Sequence, residues 1–141
     1  MIVFRRPIKF EEVDAANIVF FARFATYAHE AMEDFFSPVE GGYAGLIVKR
    51  RVGLPAVHLE TEFLAPLQYG DALRIETTVA RLGKRSAVLH YRMFRESDGA
   101  LACDVKHTVV TTDLVALRSI DMPADVRACF EAHCEPGARG S

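Results

Sequence analysis

Hydrophobic and polar residues change their spacing twice along the chain, and the changes mark its elements. Strand-favouring Val3, Phe4, Ile8 and Phe10 predict a first strand over residues 2–10, with Pro7 restricting it to a sheet edge or a bulge. The polar turn Glu11-Glu12-Val13-Asp14 follows. From about Ile18 to Phe36 the apolar residues Phe21, Phe24, Ala25, Ala28, Met32 and Phe35 recur every three or four positions, which predicts one long helix with an apolar stripe. Ser37-Pro38 and Gly41-Gly42 end it.

After residue 54 the period becomes two. Val57, Leu59, Thr61 and Phe63 alternate with His58, Glu60 and Glu62; after a turn at Pro66–Asp71, Leu73, Ile75, Thr77 and Val79 alternate with Arg74, Glu76 and Thr78. Gly83 breaks the pattern, Ala87, Leu89, Tyr91 and Met93 resume it, and the hairpin turn Ser97-Asp98-Gly99 leads to Leu101, Cys103, Val105 and Val109. A closing helix is expected from Pro123 to Cys134, and a flexible tail over residues 135–141. The reading is a single α+β domain over residues 1–134, with one face of an antiparallel sheet wrapped around the long helix and the other free for water, ligand or a second subunit.

Composition narrows the function. A chain of 141 residues that is 50% apolar can bury a core without disulfide or metal, so stability calls for no cofactor. A net charge of -2, with basic residues clustered only at Lys49-Arg50-Arg51 and Lys84-Arg85, argues against nucleic acid as a partner but leaves room for a local anion site. Three cysteines, one in the apolar alternation at Cys103, fit reduced thiols in the cytoplasm rather than a secreted framework. No signal peptide is read at the N-terminus. The nearly apolar run from Ile18 to Ala28 is too short to cross a bilayer, so no membrane partner is expected.

The residue best placed for chemistry is Asp14, a carboxylate in a polar loop just ahead of the most apolar helix. A helix N-terminus offers unpaired N–H groups and a partial positive charge that can polarise a carbonyl, and a carboxylate beside it can attack or activate water. From position alone, an Asp here is more often a helix cap. Cys103 and His107 are spaced as a nucleophile and base could be, although buried thiols are usually small apolar core groups. Cys129, His133 and Cys134 lie too close in sequence to close a tetrahedral metal site. His58 and His90 fall on polar sheet faces, where a surface or interface role is expected.

The run Phe10-Glu11-Glu12-Val13-Asp14-Ala15-Ala16-Asn17-Ile18-Val19-Phe20-Phe21 resembles the signature of the 4-hydroxybenzoyl-CoA thioesterase family. Gly53-Leu54-Pro55, the strand ending in Phe63, Tyr69-Gly70-Asp71, Leu73-Arg74-Ile75-Glu76 and Gly83-Lys84-Arg85-Ser86 follow in register, so the resemblance spans roughly residues 5 to 113. It implies a hotdog fold and hydrolysis of an acyl-CoA thioester, with a homo-oligomer, dimer or homotetramer, that builds its sites between subunits. Asp14 matches the catalytic carboxylate, Phe21 the residue whose backbone N–H polarises the thioester carbonyl, and Lys84, Arg85 and Ser86 the segment that handles the CoA phosphates.

Two positions depart from the family. Asn17 stands where it usually has Gly, and Asn tolerates left-handed backbone angles. His29 stands where the 4-hydroxybenzoyl enzyme has an acidic acceptor for the substrate's phenol, with Glu30 next to it. The expectation is therefore an aromatic acyl group without a preference for a para-hydroxyl, with Phe20, Phe24 and Tyr27 as pocket candidates. Thioesters of aliphatic or carrier-protein-linked acyl groups, and a non-catalytic acyl-CoA binding module, are the alternatives.

Overall fold

The structure is a computed structural model that describes residues 1–139. Five antiparallel strands form the main sheet in the order β1-β4-β5-β6-β3: β1 (Ile2–Pro7), β3 (Ala56–Phe63), β4 (Ala72–Leu82), β5 (Ser86–Arg95) and β6 (Leu101–Val110). A small second sheet joins β2 (Val52–Gly53), β7 (Thr112–Asp113) and β8 (Arg118–Ser119). Helix α1 (Arg23–Phe35) lies on the apolar face of the main sheet, α2 (Gly42–Ala44) continues into a wide turn over Gly45–Lys49, and α3 (Ala124–Glu131) follows the last strand.

The alternating residues face as their period predicts. Leu73, Ile75, Thr77 and Val79 of β4 and Ala87, Leu89, Tyr91 and Met93 of β5 are all buried against the apolar side of α1, where Phe24, Tyr27, Ala28, Ala31, Met32 and Phe35 point inward. Burying each large aliphatic or aromatic side chain contributes roughly 1.5–3 kcal/mol, so this face holds α1 to the sheet. Phe130 of α3 packs 5.8 Å from Phe35 and 5.3 Å from Phe36, centroid to centroid.

Three boundaries differ from the expectation. The first strand ends at Pro7, and residues 10–12 form a single turn of 3-10 helix. The helix begins at Arg23 rather than near Ile18, because residues 13–20 fold back on themselves: Val13 pairs with Val19, the Asp14 N–H donates to Ile18 O, and the Phe20 N–H donates to Glu12 O. The Asp14 bond occupies the Ile18 carbonyl, which a helix starting there would have given to the Ala22 N–H. The expected tail is anchored as far as it is described, with the Glu135 N–H donating to Val79 O and the Leu82 N–H to Ala138 O, so the C-terminal segment takes over the β4 edge where β1 stops. Residues 140 and 141 lie outside the described residues.

Among the described residues, strand β3 pairs only with β6 and leaves its other edge bare. Val57, Leu59 and Phe63 are 61%, 49% and 54% exposed, so the apolar face expected from their alternation is not covered within one chain.

Candidate active site

The turn from Glu12 to Phe20 is a short hairpin-like loop. Its tip requires a left-handed residue, and Asn17 supplies it at φ 60° while its N–H donates to Asp14 O. Within the loop the Asp14 Oδ1 accepts the Ala16 N–H at 2.9 Å and the Ile18 N–H at 3.4 Å. The Asp14 Oδ2 has no hydrogen-bond partner among the described residues, and the side chain is exposed. Asp14 does not cap the helix. The cap position is Ala22, which has no side-chain oxygen to offer.

Without a capping side chain, the first amides of α1 are met by backbone carbonyls of the preceding turn. The Arg23 and Phe24 N–H groups donate to Phe20 O and Phe21 O, whereas the Phe21 N–H has no acceptor among the described residues. Phe21 also lines a cavity of about 340 Å³ with Ile18, Val19, Phe24, Phe63, Leu64, Ala65 and Pro66. The walls are apolar, and Phe24 meets Phe63 edge-on at 5.4 Å. Asp14 does not line this cavity itself; it stands behind Ile18, whose N–H it holds.

Of the expected aromatic pocket residues only Phe24 lines the cavity. Phe20 stacks on Phe21 at the surface, 4.7 Å between centroids, and Tyr27 is fully buried with its hydroxyl donating to Glu12. His29 is exposed on α1, 2.9 Å from Glu33 and edge-on to Tyr43 at 6.1 Å, and does not line the cavity. Glu30 turns to Arg6.

The basic turn lies elsewhere. Asp14 follows β1, whose Pro7 pairs with Ala72 at the start of β4, whereas Lys84, Arg85 and Ser86 sit beyond Leu82 at its other end. Eleven residues of strand at ~3.3 Å each separate the two groups by roughly 30 Å within one chain. Arg85 is engaged there, donating to Asp121 at 2.9 Å and to Ser119, and Asp121 is held below the usual carboxylate range by that guanidinium. Ser86 lines a polar hollow of about 450 Å³ with Arg81, Gly83 and Thr108.

The remaining candidates resolve into structure. Cys103 is fully buried, burial pushes its thiol up to about 12, and its strand neighbour His107 meets the Tyr91 hydroxyl at 3.1 Å instead. Burial pushes the His107 imidazole below its ordinary range. The Cys129 thiol donates to Phe35 O and the Cys134 thiol to Phe130 O. His58 meets Glu60 at the surface, while His90 is nearly buried between Asp104 and Glu135.

Sequence reasoning missed the network beneath the turn. Glu12, 5% exposed, receives Arg6 Nη1 and Nη2 at 2.8 and 2.7 Å, the Lys9 N–H at 2.9 Å and the Tyr27 hydroxyl at 2.9 Å. Burial alone would lift its carboxyl, but the bonds from Arg6, Lys9 and Tyr27 outweigh it and hold the group down to about 2. The available signal was Tyr27 itself, since a tyrosine on the buried stripe of a helix needs a partner for its hydroxyl.

Residues 8–130 match the model of the thioesterase-like superfamily. The chain belongs to that superfamily. With the hotdog arrangement of helix and sheet, membership carries hydrolysis of an acyl-CoA thioester as the general reaction. Among its relatives is a 1,4-dihydroxy-2-naphthoyl-CoA hydrolase of Picosynechococcus sp., 34% identical over 94 residues, a match that covers 67% of this chain and 64% of that protein. A thioesterase superfamily protein from Jannaschia sp. superposes with a TM-score of 0.86 at 26% identity, covering 95% of this chain and 93% of the other. A gentisyl-coenzyme A thioesterase superposes at 0.79 with 26% identity, covering 89% and 98%. No helix among the described residues of this superfamily member is long and apolar enough to cross a membrane.

Proposed function

We propose that this chain hydrolyses the CoA thioester of an aromatic acid, with Asp14 as the reacting carboxylate and the Phe21 N–H as the group that polarises the thioester carbonyl. One observation carries the reading: an Asp14 oxygen and the Phe21 N–H, both without partners among the described residues, lie seven residues apart on the segment that leads into α1 beside an apolar, aromatic-lined cavity. A carbonyl oxygen at the Phe21 N–H would gain negative charge as the carbon is attacked, and a donor fixed there before the reaction favours the charged state. Asp14 either adds to the carbon itself, giving an acyl–aspartyl anhydride that water then opens, or takes a proton from the attacking water. In both routes the CoA sulfur leaves with the electrons of the C–S bond.

The relatives' substrates, a dihydroxynaphthoyl and a gentisyl thioester, support an aromatic acyl group, and so do Phe21, Phe24 and Phe63 around the cavity. On this reading His29 meets the acyl group only across the contact between two copies, since it is exposed and lies outside the cavity of its own chain. Released thiol from benzoyl-, naphthoyl- and arylacetyl-CoA, set against aliphatic thioesters of equal carbon number, tests the class. The expected kcat/KM is at least about tenfold higher for the aromatic set, the size of a good apolar-pocket discrimination. An aliphatic preference selects the aliphatic reading, and tight binding of every thioester with no thiol released selects the binding module.

The roughly 30 Å between Asp14 and the basic turn favours a second copy as the source of the phosphate contacts. Pairing the bare β3 edges antiparallel across a two-fold axis places one copy's Ala56 end beside the other's Phe63 end, and covers Val57 and Leu59. Leu59→Glu is then expected to yield a monomer by light scattering, with little thiol release. An active monomer would contradict the shared site.

Within that arrangement, Lys84, Arg85 and Ser86 of the second copy hold the nucleotide phosphates. Replacing both Lys84 and Arg85 by Ala should raise KM for CoA thioesters at least about tenfold and leave pantetheine thioesters nearly unchanged, because the latter lack the nucleotide phosphates. Equal effects on both would make the turn structural, as the Arg85–Asp121 pair in the single chain would then suggest.

A further inference from the structure

The buried network under the Asp14 turn joins three pieces of backbone that the reaction needs in register. Arg6 comes from β1, Glu12 from the base of the turn, and Tyr27 and Glu30 from α1. Glu12 precedes Asp14 by two residues, and its own carbonyl receives the Phe20 N–H, so it fixes both arms of the loop where they meet. On the helix side, the only side-chain bonds from α1 to residues 11–20 among the described residues are the Tyr27 hydroxyl on Glu12 Oε1 and Arg23 Nη2 on Glu11 O at 3.0 Å, and the second is exposed. The Tyr27 bond is the buried one. Its acceptor is a carboxylate clamped by a bidentate guanidinium, which fixes the direction of the contact.

We propose that Tyr27 is a positioning residue for thioester hydrolysis, and that its hydroxyl, held on the Arg6-clamped Glu12, sets the Asp14 carboxylate against the free Phe21 amide. The inference rests on Asp14 as the reacting carboxylate. Attack and polarisation act on the same carbonyl from two different pieces of chain, and a displacement of about 1 Å between such groups can cost about 100-fold in rate. Neither Tyr27 nor Glu12 lines the cavity, so neither is expected to alter substrate binding directly.

Tyr27→Phe isolates this role. The ring stays in the core beneath the Arg6 guanidinium, 4.3 Å from it, and Glu12 keeps its bonds from Arg6 and Lys9. Expected is a folded protein by circular dichroism, with kcat lowered about 10- to 100-fold and KM changed less than about twofold. In an Asp14→Asn background the same change should lower the residual rate less than about twofold, because the group it positions is gone. p-Aminophenylalanine at position 27, which keeps a donor at the para position, should restore most of the turnover and serves as the second variant if Tyr27→Phe folds poorly. Equal proportional losses in both backgrounds, a KM rise that accounts for the loss, or wild-type kcat in Tyr27→Phe would overturn the positioning role alone. An Asp14→Asn protein that turns over at near wild-type rate would remove the Asp14 reading and this inference with it.

Discussion

Asp14→Asn should leave a folded protein that binds acyl-CoA and turns it over about 100 to 10,000 times more slowly, the usual loss when a positioned base or nucleophile is removed. The fold is expected to survive because the bonds that shape the loop do not depend on the charge. Oδ1 only accepts, from the Ala16 and Ile18 N–H groups, and the amide oxygen of Asn can accept the same two bonds. The Asp14 carbonyl and N–H, which pair with Asn17 and Ile18, belong to the backbone and are unchanged. What is lost is the second oxygen, which has no partner among the described residues, because an amide nitrogen neither attacks a thioester nor takes a proton from water. Thiol release under saturating substrate measures kcat, and near-normal turnover would withdraw Asp14 from the reaction. A residual rate above background is expected even so, since the Phe21 amide and the cavity remain.

The largest effect on stability is expected at Arg6. Replacing it with Met keeps an unbranched side chain of similar length but leaves the Glu12 carboxylate nearly buried with only Lys9 and Tyr27 as donors, and breaking such a pair typically costs about 3–5 kcal/mol. For a chain of this length that corresponds to a fall in Tm of roughly 10–20 °C. The same pair predicts an acid limb. Glu12 is held at about 2 in the folded chain, below an ordinary glutamate, so the unfolded chain binds the proton more readily. The stabilisation is complete above the unfolded value of ~4.3 and is lost as pH falls from there towards about 2. Chemical denaturation of wild type and Arg6→Met at pH 7 and pH 3 checks both statements. The gap between the two proteins should narrow at pH 3, and a gap that stays constant would mean that Arg6 acts through packing on Tyr27 rather than through charge.

The strands and the helix were legible in the sequence because each is periodic on its own. Leu73 to Val79 and Ala87 to Met93 alternate regardless of what they pair with, and the stripe from Phe24 to Phe35 needs only a helix to be continuous. The place of Asp14 was legible for the same reason, as a polar turn between a strand and an apolar helix. Asn17 was readable as a left-handed position, and the structure has it at φ 60°.

The start of α1 was not legible, because residues 18–22 have a helix-compatible composition. Backbone pairing across the loop decides against helix there, because the Ile18 carbonyl is taken by the Asp14 N–H, a bond that forms only when the loop folds back on itself. Nor did the sequence reveal that Arg6, Glu12 and Tyr27 are one cluster. Each is unremarkable alone, and only the approach of β1, the turn and α1 takes all three out of water, where their charges and hydroxyl must satisfy one another. The separation of Asp14 from Lys84 and Arg85 by the length of β4 likewise follows from strand pairing and not from spacing along the chain. What the sequence by itself determined was therefore every feature written in local periodicity and turn chemistry. The tertiary structure alone decided which residues share a site, because burial and long-range hydrogen bonds depend on chain segments that the sequence keeps apart.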